Sequence, residues 1–463
     1  MPAARQPRGA RHDVRASRGP GRWRAGVTAA TASLWHDRRF LRFWAGQTVS
    51  QFGDRISDLA LPLVAVAALD ASAGEVARLT ALVWTPNLLA LLLGAWVDRH
   101  RAKRVLMVYA DLLRAALLLT LPVAYALGAL TLFHLYAVAL LTGTAAVVFN
   151  TAYSAVFAHL VPPASYLDAN SKLSVTRSAS FVVGPAAGGG LVQALTAPVA
   201  VVADALSFVA SAYLVGLPRI DEPAPAADRS GPSLPRQARE GLVFVVRDPV
   251  LRASLGCSAT VNFFTFLTGT GLLVLFAERD LRLQPGVIGL AFGIGSTGAL
   301  LGAVTAPAIS RWTGIGRSVA VGAVLFPAPY ALAAFADGPA WARAGTLAAT
   351  QFLAGFGVML FDVNLNSLDT AAAPDGLRSR VAGAYSTVNY GIRPLGALAG
   401  GGLATVAGLR TTLIVTAVGG ALSVLWLLPS PIPGIRSLDE LKRAAPEGTP
   451  PVACEAERAP GPD

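Results

Sequence analysis

The sequence predicts an all-α membrane protein with about twelve transmembrane helices in two pseudo-symmetric six-helix halves. Three observations predict it. A soluble chain carries about a quarter charged residues, whereas this one, of 463 residues, is 14% charged and 54% hydrophobic, with a mean hydropathy of +0.53. Apolar runs of helical length recur along most of the chain, each able to span a hydrocarbon core of ~30 Å. Landmarks of the first half return about 212 residues later, as duplicated halves require.

In chain order the runs lie near 44–69, 76–97, 105–127, 132–158, 172–193 and 197–217, then 252–276, 286–309, 318–336, 343–366, 380–405 and 411–429. Residues 98–104, wedged between the second and third runs, are rich in charge and can sit only in a tight turn at a membrane face. The chain holds 46 Gly and 31 Pro, many of them inside the runs. Packed helices tolerate these residues because neighbours re-satisfy the freed backbone groups, so a helical bundle is expected rather than a barrel. The repeat pairs Asp37 with Asp248 ahead of the first and seventh runs, Phe149-Asn150 with Phe361-Asp362 in the fourth and tenth, and Pro163 with Pro374 after them. It also pairs Arg99 with Arg311 and Arg104 with Arg317.

The net charge of +11 does not point to nucleic acid, because the basic residues fall where topology needs them. Ten Arg lie in residues 1–43, and further clusters lie at 99–104, 219–252, 311–317, 378–380 and 436–443, while 128–131 and 194–198 carry none. The positive-inside rule then places both termini in the cytoplasm. The expected organisation is a basic disordered extension over 1–33, an N-terminal half over 34–217, a cytoplasmic linker over 218–247, a C-terminal half over 248–430 and a tail over 431–463. The extension lacks the apolar core of a secretory signal; it reads as a solvated tail or as a binder of anionic lipid. Cys257 in a span and Cys454 in the tail are not expected to pair.

Several segments resemble the major facilitator superfamily of secondary transporters, in its drug and siderophore exporter branch of enterobactin-exporter-like and macrolide-efflux-like proteins. Gly94-Ala-Trp-Val-Asp98-Arg99-His-Arg101-Ala-Lys103-Arg104 resembles the family's loop between the second and third helices. Phe40-Leu-Arg42-Phe-Trp44 through Gly53-Asp54-Arg55 is similar to its first-helix signature. Gly184, Pro185, Gly188 and Gly189 resemble the Gly-Pro antiporter motif, and Arg393-Pro394-Leu-Gly396 resembles the same branch in the eleventh helix. The likeness runs from about 34 to 440. Departures are Arg101 and Ala102 in the hinge, Ser310 where the second hinge would carry the counterpart of Asp98, and no Arg before Gly143 in the fourth helix. The resemblance implies that Arg99 and Arg104 hold the cytoplasmic faces of the halves together, favouring a state open to the outside.

Ionisable groups within a bilayer cost about 2.5 kcal/mol or more each and read as functional. Asp54 lies near mid-depth of the first run, and Asp58 one turn further along the same face. They are proton-coupling candidates with Arg393; the alternatives are an Asp54–Arg55 structural pair and direct substrate contact. Asp111 and Arg114, spaced i, i+3, are expected to pair with each other or with the hinge. In that hinge Gly94 would let two helices approach closely and Asp98 could cap a neighbouring helix. Asn150, Tyr153, Asn262, Phe263, Asn389 and Tyr390 are polar and aromatic groups of the kind that line amphiphile pockets. Gly293-Ile-Gly295-Ser-Thr-Gly298 matches a dinucleotide fingerprint, yet it lies in an apolar run with no preceding strand and reads as a packing surface.

The chain lacks a phosphate-binding G-x-x-x-x-G-K-[ST] loop and the H-E-x-x-H and G-x-S-x-G patterns. The expectation is therefore a transporter rather than an enzyme, with no cofactor and no metal. The resemblance implies a proton-coupled exporter of an amphipathic small molecule such as an antibiotic, siderophore or secondary metabolite, in a bacterial cytoplasmic membrane. Its partners are substrate, protons and bilayer, and it acts as a monomer. An importer on the same fold and a non-transporting membrane sensor are the alternatives.

Overall fold

A computed structural model describes residues 34–100, 102–162, 165–218, 234–374, 377–437 and 440. The 1–33 extension, most of the 431–463 tail, Cys454, Arg101 and Pro163 lie outside the described residues. Among those described there are helices and no strands.

The N-terminal half is built from α1 (Arg38–Leu63), α2 (Ala73–Trp84), α3 (Ala90–Asp98), α4 (Lys103–Ala126), α5 (Leu132–Leu160), α6 (Tyr166–Ala194) and α7 (Ala197–Gly216). After α8 (Leu234–Arg247) come α9 (Pro249–Arg279), α10 (Pro285–Thr313), α11 (Ile315–Leu325), α12 (Tyr330–Ala334), α13 (Ala340–Ala372), α14 (Arg378–Ala407) and α15 (Leu409–Ala421). Two expected spans are broken by proline. Pro86 interrupts the second, where a 3₁₀ turn over Thr85–Leu89 separates α2 from α3; Pro327 and Pro329 separate α11 from α12. Counting α2–α3 and α11–α12 as one crossing each, and leaving α8 aside, gives twelve.

The repeat is visible at the helix starts. Asp37 caps α1 by accepting from the Arg39 N–H at 2.8 Å, and Asp248 caps α9 by accepting from Val250 and Leu251 at 2.9 Å. The 218–247 segment differs from expectation, because its second part is helical. α8 buries Val245 and is tied to α14 by Arg380 Nη1 donating to Glu240 at 2.8 Å. Its apolar residues recur at helical spacing, a signal hidden by the Pro-rich stretch before it.

Eight of the twelve crossings are long and apolar enough to span a membrane by length and composition. The other four, α1, α2–α3, α6 and α14, are broken or rich in polar groups. α1 carries Asp54, Arg55 and Asp58, α6 carries Lys172 and Arg177, and α14 carries Arg380 and Arg393. They pack centrally: α1 lies against α6 and α7, α6 against α10, and α14 against α2 and α9.

The halves meet at the face opposite the basic loops. There Gly189 of α6 lies against Gly289 and Pro285 of α10, so close that a Cβ on Gly289 would sit 2.8 Å from the Gly189 Cα. The Gly286 N–H donates to Gln193 at 3.0 Å, and Arg279 bridges to Asp70 at 2.5 Å. Gln193 also donates to Gln284 at 3.2 Å, so that two hydrogen bonds and a salt bridge join the halves at this face. The bundle is thus closed on that side. Gly289→Leu is expected to lower the thermal unfolding temperature of the detergent-solubilised protein by forcing the halves apart. Asp70→Asn, which touches an exposed ion pair worth ~0–1 kcal/mol, should leave it nearly unchanged.

Candidate functional site

Two polar sites occupy the apolar bundle, one in each half. In the N-terminal half α1, α4 and α7 bring together Asp54, Asp111, Arg114 and Asp204. Gly53 makes this possible: it has no Cβ, and a Cβ would run into the Ser207 and Asp204 side chains, so α7 can press its carboxylate against the α1 backbone. Asp204, 1% exposed, accepts from Ser57 of α1 and from Ser207 at 3.1 Å. Arg114 pairs with Asp54 and lies 3.7 Å over the ring of Phe208. Asp111 is fully buried; Arg114 approaches it only to 3.9 Å, and neither of its oxygens has a hydrogen-bond partner. Ser211 faces it with its own hydroxyl equally unpartnered.

This geometry corrects two expectations. Arg55 pairs with Asp58 at 2.6 Å, not with Asp54, because consecutive residues on a helix point about 100° apart. Asp54 turns to Arg114 of α4, while Asp58 pairs with Arg55 and remains within electrostatic reach of Asp54. The main partner of Arg114 is likewise Asp54, not its neighbour Asp111.

In the C-terminal half a cavity of about 410 Å³ lies between α9, α13 and α14. All of its lining is polar except Ala373, Val381 and Ala382. Its mouth carries Arg378 toward the basic face, and its far end carries Arg393, ~22 Å along α14 at 1.5 Å per residue. The Arg393 guanidinium sits over Trp84, Phe266 and Tyr390 at 4.4, 5.0 and 4.7 Å. Its Nε donates to Asn262 at 3.3 Å. Trp84 stacks on Tyr390 at 6.0 Å, so this aromatic box joins the two halves at mid-depth. Asp369 is held by Ser254 at 2.6 Å and by Tyr385 at 3.3 Å. Asn389 accepts from Ser258 at 2.9 Å.

Of the expected pocket residues, Asn262, Asn389 and Tyr390 line this cavity together with Arg393. Phe263 does not: its ring packs edge-on against Phe264 at 5.4 Å, and its backbone lies against Gly396. Tyr153 is stacked between Phe43 and Phe157 in the N-terminal half, and Asn150 is exposed on α5. Sequence reasoning missed Trp84, whose position just ahead of the Thr85-Pro86 break marks where a helix opens toward a cavity, and Asp369, seven residues beyond Asp362 on one face of α13.

In the hinge motif Arg104 donates to the carbonyls of Gly216 and Pro218 at the end of α7, both at 2.5 Å. Arg99 caps α3 and is exposed, and the Asp98 side chain lies outside the described residues. Gly94 meets only Thr151 of the neighbouring α5, at an ordinary 3.7 Å for an added Cβ, so it mediates no close approach. Gly184, Pro185, Gly188 and Gly189 form a packing strip instead. Gly184 receives the stem of Arg55, Gly188 lies against the Ile56 backbone, and the Pro185 carbonyl and Gly189 abut Gly289 of the other half. Gly293, Gly295 and Gly298 pack on α6 and α13, as helix packing requires.

A two-half helical bundle, closed on one face and holding a charged cavity open to the other, is the architecture of a secondary transporter. The chain belongs to the Major Facilitator Superfamily, whose family model matches residues 43–393; it is a multi-pass membrane protein. It is 28% identical to the multidrug efflux pump Tap of Mycolicibacterium fortuitum over 418 residues, covering 84% of this chain and 94% of that protein. Its fold is similar to the nucleoside transporter NupG (D323A mutant; TM-score 0.67, 13% identity, 84% of this chain and 99% of that one). It is equally similar to a bacterial homologue of the iron transporter ferroportin in its inward-facing state (TM-score 0.67, 17% identity, 85% and 98%).

The N-terminal cluster yields a stability prediction. Arg114→Leu leaves three acids without their one guanidinium and should destabilise the protein by about 3–5 kcal/mol, read as a lower unfolding temperature in detergent. Adding Asp54→Asn should recover part of the loss. An unchanged unfolding temperature in the single variant would mean that the cluster is not held by charge.

Proposed function

We propose that this protein is a proton-coupled exporter of an amphipathic small molecule in a bacterial cytoplasmic membrane. The observation that carries the coupling is the α1–α4–α7 cluster. Fully ionised, it would hold three carboxylates against one guanidinium in a water-poor interior, where unbalanced charge costs several kcal/mol. Binding and releasing protons relieves that imbalance, and the cluster joins three helices of one half, so its charge state can bias how they pack. Export, as against import, is supported by the likeness to a drug efflux pump.

The basic face is read as cytoplasmic by the positive-inside rule, which makes this the inward-open state and puts both termini inside. The boundaries 34–217 and 248–430 then separate two six-helix units, and the chain acts as a monomer. In the outward-open state Arg99 and Arg104 would come to hold the closed cytoplasmic side, the function their motif implies. Protonation in the N-terminal half and cargo in the C-terminal cavity divide the labour between the units.

Inside-out vesicles with an acidified lumen test the reading. Adding cationic, anionic and zwitterionic fluorophores in turn should release protons from the lumen with at least one of them and concentrate that compound inside. Asp54→Asn should abolish this uphill movement yet preserve exchange of labelled for unlabelled compound. Loss of both activities would make the Asp54–Arg114 pair structural only, and no proton release with any fluorophore counts against export.

A further inference from the structure

We infer that the C-terminal cavity is built for a zwitterionic, hydrogen-bonding ligand, whose cationic group meets Asp362 and whose anionic group meets Arg393. The inference rests on the reading of this cavity as the cargo site. Asp362 and Arg393 line one cavity and lie within electrostatic reach of each other. Two opposite charges in a membrane interior would gain much by closing into a salt bridge. They do not close: among the described residues no salt bridge joins them, and the one hydrogen bond of Arg393 is that from Nε to Asn262.

Arg393 is held back by what surrounds it. Trp84, Phe266 and Tyr390 lie around its guanidinium, and Asn262 takes the Nε. The two terminal nitrogens, which form the fork that reads a carboxylate or phosphate bidentately, have no acceptor. Asp362, in turn, has no hydrogen-bond donor among the described residues, whereas Asp369 in the same cavity is already satisfied by Ser254 and Tyr385. The cavity therefore offers one open acid and one open, rigidly oriented base. The lining holds two acids, Asp362 and Asp369, and two bases, Arg378 and Arg393, so its formal charge sums to zero. A lipophilic monocation would leave the Arg393 fork unpaired, and a lipophilic anion would leave Asp362 unpaired; both leave buried charge uncompensated. A ligand with both charges satisfies the two at once, and the polar walls suit a hydrogen-bonding body.

The test uses three dansyl compounds that differ by one charge at a time: Nε-dansyl-lysine, its methyl ester and its Nα-acetyl derivative, which are zwitterion, cation and anion at neutral pH. Dansyl emission excited through Trp84 and its neighbours reports equilibrium binding to the purified full-length protein in detergent, with no gradient. The zwitterion is expected to bind at least tenfold more tightly than either derivative. Arg393→Lys, which keeps the charge but loses the fork, should erase the advantage over the ester, and Asp362→Asn the advantage over the acetyl compound. Equal or tighter binding of either derivative, a preference that survives both substitutions, or no saturable signal from any of the three would overturn the inference. Export is judged separately in vesicles, so either conclusion can fail while the other stands.

Discussion

Arg114 is the one guanidinium among three carboxylates in the middle of an apolar bundle, and the arrangement of the N-terminal half follows from having to satisfy it. Its salt bridge draws α4 onto α1 through Asp54, and its stacking on Phe208 draws α4 onto α7. The absent side chain of Gly53 lets α7 close from the other side, so that Asp204 reaches Ser57. Three helices are thus cross-linked by charge at the depth where lipid offers no solvation. Asp111 is left over. It is fully buried and neither of its oxygens takes a hydrogen bond, so it is the member of the cluster that the packing leaves unsatisfied.

The C-terminal half solves the same problem differently. Its central arginine is held by aromatic faces and an amide rather than by an acid, and one of those faces, Trp84, belongs to the other half. This box lies where the cavity ends at Arg393, and Leu88, one turn beyond Trp84, touches α14 beside it at Gly391. Toward the far face the backbones approach closely through small residues, Gly189 against Gly289 and Gly401 against Gly74 and Ala77, with the Gly286–Gln193 hydrogen bond and the exposed Arg279–Asp70 pair beside them. Few polar bonds cross this seam, so the halves can part there at small cost, as alternating access requires.

The fold was legible because hydropathy and a 212-residue repeat are one-dimensional signals; even the N-cap aspartates Asp37 and Asp248 could be matched by eye. The site was legible only in part. That Asp54, Asp111, Arg114 and Asp204 are costly in lipid follows from their positions, but which of them pair depends on helix packing. Arg114 had a local partner three residues away and chose one sixty residues away in the chain. The Asp54–Arg55 alternative could have been discounted on helix geometry alone, since adjacent residues face different ways. The hinge is a case of the other kind: its basic residues are plain in the sequence, but that Arg104 reaches the carbonyls closing α7 depends on packing.

The central claim is that the α1–α4–α7 cluster takes up and gives up protons. Infrared difference spectra of the purified protein between acidic and alkaline buffer read the carbonyl stretch of protonated carboxylic acids directly. The account predicts a buried-acid band that disappears as pH rises and is lost or diminished in both Asp111→Asn and Asp204→Asn, while Asp168→Asn, on the exposed start of α6, leaves it intact. A band that persists unaltered in both cluster variants, or its absence from the unaltered protein across the whole pH range, would contradict the account.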